Sequence, residues 1–402
     1  MTQPFGPLAG VKVIELAHIM AGPVCGLMLA DLGAEVIKVE KIPGGDDSRR
    51  FLPPDIDGES AAYMMMNRNK RGIALDLKTA SGKEILKKLL ADADVVTENY
   101  RRDTMSKLGL GYEDLRKVNP GLIYCTISGF GRTGPYADRG GFDLIAQGMS
   151  GLMSFTGEGP GRPPCKVGAP VTDITAGILA ALGVVSAYVH KLKTGEGQIV
   201  DTSLFEAGIV HTYWQSAIAL ATGISPGPMG SAHPLNGPYQ AFETSNGWIT
   251  IGAANQRNWE RLLEVMEVPE IAADPRFASN TDRMAHLKEL EAVLTPVFQK
   301  RTQAEWLERL ENAGVPAGPV MSVTEMFEDP HAQARDMIPT VEHTKLGPVR
   351  TLGLPIKLSE TPGKVAAAAP VFGQHTAEVL GEYGYSSDQI ATFADEGAIA
   401  LS

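Results

Sequence analysis

An alternation of apolar strand and helix patterns between residues 11 and 128 constrains the fold of this chain more than any other feature. Residues 11–16 are typical of a buried strand, residues 23–32 of a helix that begins with proline, and residues 34–40 of a second strand. The same succession continues through residues 73–77, 81–90, 95–97 and 122–128. Because parallel strands require crossover helices, the alternation predicts a doubly wound, Rossmann-like α/β domain with helices on both faces of a parallel sheet.

The pattern changes beyond residue 173. Residues 174–189 are apolar on nearly every side, which predicts a helix buried in the core or against a partner subunit. Residues 239–244 and 248–252 predict a hairpin about Asn246-Gly247, and amphipathic helices follow at 258–266 and 304–313. This second half is therefore expected to form a smaller α+β domain, with a last helix at 376–383 that rejoins the first domain.

Composition and charge exclude several classes of protein. The net charge of −11 disfavours binding to nucleic acid, which requires cations that neutralise phosphates. Residues 1–110 hold 15 basic and 15 acidic residues, so a small polyphosphate ligand is expected in this neutral quarter. No apolar run approaches the roughly 20 uninterrupted residues of a membrane span, and we expect a cytoplasmic protein. The three cysteines are too scattered for a disulfide framework or a metal site, and all three are expected to be buried.

Common cofactor motifs are missing or out of context. Residues 129–134 match GxGxxG, but Pro135 and Gly140-Gly141 follow where a dinucleotide site needs a helix. The chain contains no GxxxxGK[ST], GxSxG or HExxH motif, and its histidines lack metal-ligand spacing. We therefore expect no nucleotide cofactor and no metal.

Asp173 is the candidate catalytic residue. It lies where an extended segment, residues 170–172, leads into the start of the apolar helix. One interpretation makes Asp173 an N-cap, which accepts the free amides of the first turn. The other makes it a nucleophile, kept ionised by the helix dipole and stripped of water by apolar neighbours. Both interpretations remain open at this point.

Several short motifs occur in an order and spacing that is highly specific. They are Ala21-Gly22-Pro23, residues 33–40, Asn69-Lys70-Arg71, Glu98-Asn99-Tyr100, residues 129–136, Gly141-Phe142-Asp143, Asp173 with Ala176-Gly177, residues 274–277 and residues 314–319. Over essentially its whole length the chain resembles the class III coenzyme A transferases, such as formyl-CoA transferase and carnitine CoA-transferase.

The resemblance implies a subunit in which the chain leaves a large domain, builds a small one and returns. It divides the chain into residues 1–204 (large CoA-binding domain), 205–226 (linker), 227–328 (small domain) and 329–402 (return linker and C-terminal part of the large domain). It also implies an interlocked homodimer, in which two rings are threaded through each other.

The resemblance implies that CoA moves from an acyl-CoA donor, such as succinyl-CoA, to a small carboxylic acid. Asp173 would carry mixed-anhydride and aspartyl-CoA thioester intermediates, and no cofactor is needed beyond the CoA thioester itself. Asp143 would assist the transfer or, as an alternative, only cap a helix. The positions that match the family's CoA site are His18, Met20, Ala21, Lys41, Leu75, Lys78, Asn99, Tyr100, Lys107 and Leu108. Arg49, Arg50, Arg68 and Arg139 are candidates to pair with a distal carboxylate of the acceptor.

Two positions depart from the pattern of formyl-CoA transferase. Met20 replaces a glutamine that contacts the acyl group, so the resemblance alone does not imply formyl or oxalyl specificity. The glycine-rich lid over the aspartyl intermediate corresponds to Gly252, Ala253, Ala254, Asn255 and Gln256, whose alanines change its bulk.

Two alternative functions are kept. A racemase of the same fold abstracts a proton with a His-Asp pair, but Phe142 stands at the position of that histidine and cannot exchange a proton. A non-catalytic CoA-binding protein is the alternative from another class, and in it Asp173 would have only a structural role.

Overall fold

The computed structural model describes residues 5–402 as two compact units. The first unit contains the chain up to Gly151, then Val167–His211 and Pro330–Ser402, and the second contains Leu152–Lys166 and Thr212–Asp329. Two helices, Leu204–Val210 and Tyr213–Thr222, occupy most of the segment predicted as a linker.

A seven-stranded sheet forms the centre of the first unit. Its strands lie in the order Ile399–Ala400, Lys70–Leu75, Glu35–Lys41, Lys12–Glu15, Val95–Glu98, Ile123–Ser128 and Ile199–Ser203. All pairings are parallel except that of Ile399–Ala400, which joins the edge in the antiparallel sense. The predicted parallel sheet is thus confirmed, with strand bounds that differ by a few residues at most.

Both faces of this sheet are covered, as a doubly wound fold requires. Successive strand residues point to opposite faces, so Val13 joins the core under the Ala21–Asp31 and Val171–Thr194 helices, and Ile14 joins the core under Ala80–Ala91. The helices of the first unit are Ala21–Asp31, Ala61–Met66, Ala80–Ala91, Thr104–Lys107, Tyr112–Leu115, Asp143–Met149, Val171–Thr194, Leu204–Val210, Pro330–Ala334, Thr376–Glu382 and Ser387–Asp395. Short strand pairs complete it at Asp55–Ile56 with Glu59–Ser60 and at Thr340–His343 with Gly347–Arg350.

The second unit packs helices against a three-stranded antiparallel sheet. The strands are Ala317–Pro319, Gly247–Gly252 and Tyr239–Thr244, in that order. The helices are Leu152–Phe155, Tyr213–Thr222, Gln256–Met266, Pro269–Ala272, Asn280–Ala285, Leu287–Phe298, Gln303–Asn312 and Val323–Glu328. The Asn246-Gly247 hairpin is confirmed, because the Gly247 strand pairs with Tyr239–Thr244 from its first residue.

The Val171–Thr194 helix is the long apolar helix predicted from the sequence. By length and composition it passes the test for a membrane span, a test that the core helix of a soluble protein also passes. One side carries Ala176, Ala180 and Val184 into the core of the first unit, whereas Leu182 and Leu192 are exposed.

Two of the three cysteines follow the sequence prediction. Cys25 and Cys125 are buried, but Cys165 is exposed. The prediction of burial is wrong for Cys165 because this residue lies in a segment without helix or strand, residues 163–167, that contributes nothing to a core.

Candidate active site

The site forms where the strand order of the first unit reverses. From Lys12–Glu15 the chain builds outwards to one side through Glu35–Lys41, and it then returns to build the other side from Val95–Glu98. Ligands bind at such a switch point, beyond the carboxyl ends of the two central strands. The segments that follow these strands contain His18, Met20, Asn99 and Tyr100, which the sequence had assigned to CoA.

Asn99 ties the two segments together. Its side-chain oxygen accepts from the His18 amide at 3.0 Å, and its nitrogen donates to the His18 carbonyl oxygen at 2.7 Å. The rings of His18 and Tyr100 lie 5.8 Å apart. Asn99 therefore has a structural role, holding the His18 segment in place, as well as being a candidate ligand contact.

Buried charges fix the turn between the first strand and the first helix. Ile19 has a φ of 69°, which is unfavourable for a β-branched residue and persists only where neighbours enforce it. Its amide donates to both carboxylate oxygens of Asp46, at 3.0 and 3.2 Å. Lys38 lies 2.8 Å from Asp46 and donates to the Ala17 carbonyl oxygen at 2.9 Å. The Lys38–Asp46 ion pair thus holds the turn in the conformation that brings Met20 to the site. Burial alone would raise the pKa of Asp46, but the Lys38 ammonium keeps that pKa well below its usual range.

A glycine brings the amino ends of two helices together. A side chain added to Gly177 would place its Cβ 2.6 Å from the Ala21 carbonyl oxygen and 2.7 Å from Val24. Only glycine permits this approach between the Val171–Thr194 and Ala21–Asp31 helices. Asp173 lies one turn before Gly177, so the close packing sets Asp173 beside the start of the first helix.

The carboxylate of Asp173 does not cap its own helix. The helix begins at Val171 with Pro170 as N-cap, and Asp173 is the third helical residue, without a hydrogen-bond partner for its side chain among residues 5–402. Asp143 takes the capping role instead: it accepts from the Thr172 amide at 2.9 Å and from the Thr172 hydroxyl at 2.7 Å. The capping interpretation of Asp173 is therefore wrong, and the capping role assigned to Asp143 as an alternative is what the structure contains.

Asp173 is difficult to ionise in this environment. Burial, and to a smaller extent repulsion by Asp143, raise the pKa of Asp173 from 3.8 to about 7. A helix dipole contributes about 0.3–1 kcal/mol, less than one pKa unit, and does not offset this rise. The expectation that the dipole keeps Asp173 ionised is corrected: near pH 7 the group is poised between the acid and an unsolvated carboxylate, which is a strong nucleophile.

Asp173 lines a cleft of about 500 Å³. The same cleft is lined by several predicted site residues, namely His18, Met20, Ala21, Asn99 and Tyr100. A neighbouring pocket of about 170 Å³ shares His18 and Tyr100 and adds Lys41, whose ammonium lies 2.6 Å from Asp47. These two pockets bring together most of the residues assigned to CoA.

Four of the residues assigned to CoA lie elsewhere in the first unit. Leu75 is fully buried in the core under the sheet, and Leu108 is half-buried against that core. Lys78 and Lys107 are exposed on the surface and line neither pocket. Contacts of these four residues with a ligand stay predictions.

The predicted lid lies in the second unit. Gly252 ends a strand, Ala253 is buried, and Asn255 caps the Gln256–Met266 helix by accepting from the Asn258 amide at 2.8 Å. Ala254 lies between Ala253 and Asn255, outside any helix or strand. The segment is therefore anchored at both ends within its own unit, and its role as a lid stays a prediction.

Four arginines line the cleft, and the sequence had pointed only to Arg139. The others are Arg101, Arg102 and Arg132, and the loop between Gly129 and Gly141 forms one wall. A Cβ on Gly141 would lie 2.4 Å from the Gly129 Cα, so these glycines close the neck of the loop. The GxGxxG match therefore lies in a wall of the cleft, and, as predicted, no helix begins there. In the described part of the chain, no group of three or more His, Cys, Asp or Glu residues is arranged to hold a metal ion.

The fold and site define an α/β protein with a desolvated carboxylate at the sheet's switch point. Comparison with known sequences agrees: the profile of CoA-transferase family III matches residues 8–376. A succinate–glutarate CoA-transferase from Agrobacterium fabrum is 43% identical over 94% of this chain and 95% of its own length. The human succinyl-CoA:glutarate CoA-transferase is 36% identical over 94% of this chain and 86% of its own.

A solved structure gives the same result. A CAIB/BAIF family protein from Brucella suis superposes with a TM-score of 0.85 and 40% identity, and the match covers 94% of this chain and 100% of that one. The chain belongs to CoA-transferase family III. It is an enzyme that transfers CoA, which confirms the resemblance and removes the non-catalytic alternative.

Proposed function

We propose that this enzyme moves CoA from succinyl-CoA to a small dicarboxylic acid such as glutarate, with Asp173 as the covalent carrier. The observation that carries the proposal is the carboxylate of Asp173, which is desolvated, unpartnered within residues 5–402 and exposed to the cleft at the switch point. The donor and the acceptor are inferred from the relatives, which are named for succinate, succinyl-CoA and glutarate.

The reaction has four displacements. A carboxylate oxygen of Asp173 attacks the thioester carbon of succinyl-CoA, and the carbon–sulfur bond breaks to give a mixed anhydride and CoA thiolate. The thiolate attacks the Asp173 carbonyl carbon and releases succinate, which leaves an aspartyl-CoA thioester. The acceptor carboxylate displaces the thiolate from Asp173, and the thiolate then takes the acyl group and regenerates the carboxylate. Charge and protons balance throughout, so the chemistry needs no metal or further cofactor.

The start of the Ala21–Asp31 helix is suited to stabilise the developing oxyanions. The first amides of a helix have no acceptor within it, and they carry the positive end of the dipole. Ala21 opens this helix and lines the cleft together with Asp173. We assign the Ala21 and Gly22 amides to the oxyanion that forms at each anhydride step.

CoA would extend from the cleft into the neighbouring pocket. His18 and Tyr100 line both pockets, and Lys41 provides a cation for a phosphate in the smaller one. Asn99 is held by His18 and sets the shape of the passage between them. In this arrangement the phosphates of CoA would lie in the neutral N-terminal quarter of the chain, where the sequence predicts a polyphosphate ligand.

We also propose that the enzyme acts as a homodimer, interlocked as in the family, in the cytoplasm. The outer side of the Val171–Thr194 helix exposes Ile178, Leu182, Val189 and Leu192 along its length. Such an apolar stripe is covered in most soluble proteins. Light scattering on the purified protein should give the mass of two chains, whereas the mass of one chain would contradict the proposal.

Trapping the intermediate tests the mechanism. Hydroxylamine added during incubation with succinyl-CoA should convert the anhydride or thioester on Asp173 into a hydroxamate, which mass spectrometry of the peptide detects. Asp138→Asn is the matched control, because Asp138 is an exposed carboxylate of the same cleft and its loss should leave the labelling intact. Turnover with an unmodified Asp173 would overturn the proposal. Exchange of the substrate's α-hydrogen with deuterium, without CoA transfer, would support the racemase alternative.

A further inference from the structure

Arginines are concentrated around the Asp173 cleft, and two of the four already have carboxylate partners. Arg132 pairs with Glu98 at 2.6 Å and also donates to the Thr126 hydroxyl. Arg102 lies 3.4 Å from Asp138. Arg101 and Arg139 line the same cleft and make no ion pair within residues 5–402. Two guanidinium groups therefore remain available to a bound anion.

Both side chains belong to the same stretch of the cleft wall, around Gly140. The Arg101 guanidinium lies against Gly140, where an added Cβ would be 3.5 Å from its Nη2 atom. Arg139 is the residue before Gly140, and its guanidinium lies 4.0 Å above the ring of Tyr136. The absence of a side chain at Gly140 leaves room for the Arg101 guanidinium. The Gly129 and Gly141 neck fixes this stretch, which leads directly into Phe142 and Asp143.

The other arginines considered from the sequence are already engaged. Arg49 makes a forked pair with Glu40, at 2.7 Å for each of two nitrogens. Arg68 is buried against Asp31 at 2.6 Å, and Arg50 contacts Asp47. None of these three lines the Asp173 cleft. A free anion in the cleft is therefore left with Arg101 and Arg139.

We propose that Arg101 and Arg139 form the subsite for the distal carboxylate of the dicarboxylate substrate, whose other end reacts at Asp173. The inference rests on the proposed function and deepens it. A planar guanidinium matches the geometry of a carboxylate and binds it with two hydrogen bonds. The same subsite would serve the succinyl donor and the dicarboxylate acceptor in turn, because each places one carboxylate at Asp173 and one at the arginines.

This subsite would also explain discrimination against monocarboxylates. An acid without a distal carboxylate leaves both guanidinium groups unpaired in a cleft that the substrate has partly desolvated. Sites built to pair with a polar group reject analogues that lack it far more strongly than apolar pockets reject a missing methylene. The main competing role for the two arginines is to hold a phosphate of CoA, which would make their loss weaken the binding of free CoA.

The test uses Arg101→Gln, Arg139→Gln and the double variant of the full-length enzyme, with glutarate and butyrate as acceptors. Each single variant should raise the KM for glutarate roughly 10- to 100-fold, the equivalent of losing one charge-assisted contact. The rate with butyrate and the Kd for free CoA should stay within about threefold of wild type. Arg116→Gln is the control, because this exposed arginine lies outside the cleft beside Glu113, and it should leave the KM for glutarate unchanged.

Three outcomes would overturn the subsite. They are an unchanged KM for glutarate, an equal loss with glutarate and butyrate, and a weakened Kd for free CoA, which would assign the arginines to a phosphate. Both side chains are exposed, and a thermal unfolding curve for each variant confirms that it is folded. Failure of the proposed function is recognised separately, because hydroxylamine would then leave Asp173 unmodified in the wild-type enzyme as well.

Discussion

Replacing Asp173 with asparagine should change the pH dependence of stability in a direction that only a desolvated carboxyl predicts. The pKa of Asp173 rises from 3.8 to about 7 on folding, so the folded protein holds a proton that the unfolded chain has already released. The contribution of Asp173 to the free energy of unfolding must therefore fall as the pH rises from about 4 to about 7, and then level off. Asp173→Asn keeps the shape of the side chain and removes this loss.

The magnitude follows from the size of the shift. Three pKa units correspond to a loss of at most about 4 kcal/mol in the free energy of unfolding. Because Asp173 is only half-buried, solvent screening reduces the expected loss to about 1–3 kcal/mol. Denaturant unfolding at pH 5, 6, 7 and 8 should show the variant gaining stability over wild type as the pH rises. The exposed Asp138→Asn control should follow the wild-type pH dependence. A variant that is less stable than wild type by the same amount at every pH would refute this reasoning.

Three further predictions concern packing, the strained turn and the reaction. Gly177→Ala should lower the free energy of unfolding by about 1–3 kcal/mol and reduce kcat, because the new Cβ would meet the neighbouring helix. Gly381→Ala is the control: Gly381 lies in a helix with open space around it, so this variant should be neutral or slightly stabilising. Asp46→Ala should cost about 3 kcal/mol in urea unfolding, since it removes a buried partner of Lys38 and the acceptor of the turn amide. The kcat/KM should rise with pH to a plateau above about 7, because only ionised Asp173 attacks, and a flat profile from pH 5 to 8 would contradict this assignment.

The sequence predicted features that are encoded locally. The Asn246-Gly247 hairpin depends on a few adjacent residues, and the structure has it. The alternation of strands and helices was sufficient to predict a parallel sheet, although not the order of its strands. Family motifs then identified Asp173, which local physics alone left undecided between cap and nucleophile.

Features that depend on contacts between distant segments could not be predicted. Asp143 caps a helix 29 residues further along the chain, and nothing near Asp143 in the sequence indicates this bond. The turn at Ile19 is held by Asp46, again through a tertiary contact. Arg101 follows a predicted strand and could have been suspected on that ground, but its proximity to Gly140 requires the folded loop.

Atom transfer between the substrate and Asp173 tests the central claim most directly. When the acceptor carboxylate attacks the aspartyl thioester, its oxygen becomes the bridge of the second anhydride, and that oxygen remains on Asp173 when the thiolate takes the acyl group. The enzyme is given unlabelled succinyl-CoA and glutarate whose carboxylates carry ¹⁸O. After a single turnover, the Asp173 peptide should have exchanged one ¹⁶O for ¹⁸O. If both products form and the carboxylate of Asp173 carries no ¹⁸O, the two substrates react without it and the account is wrong.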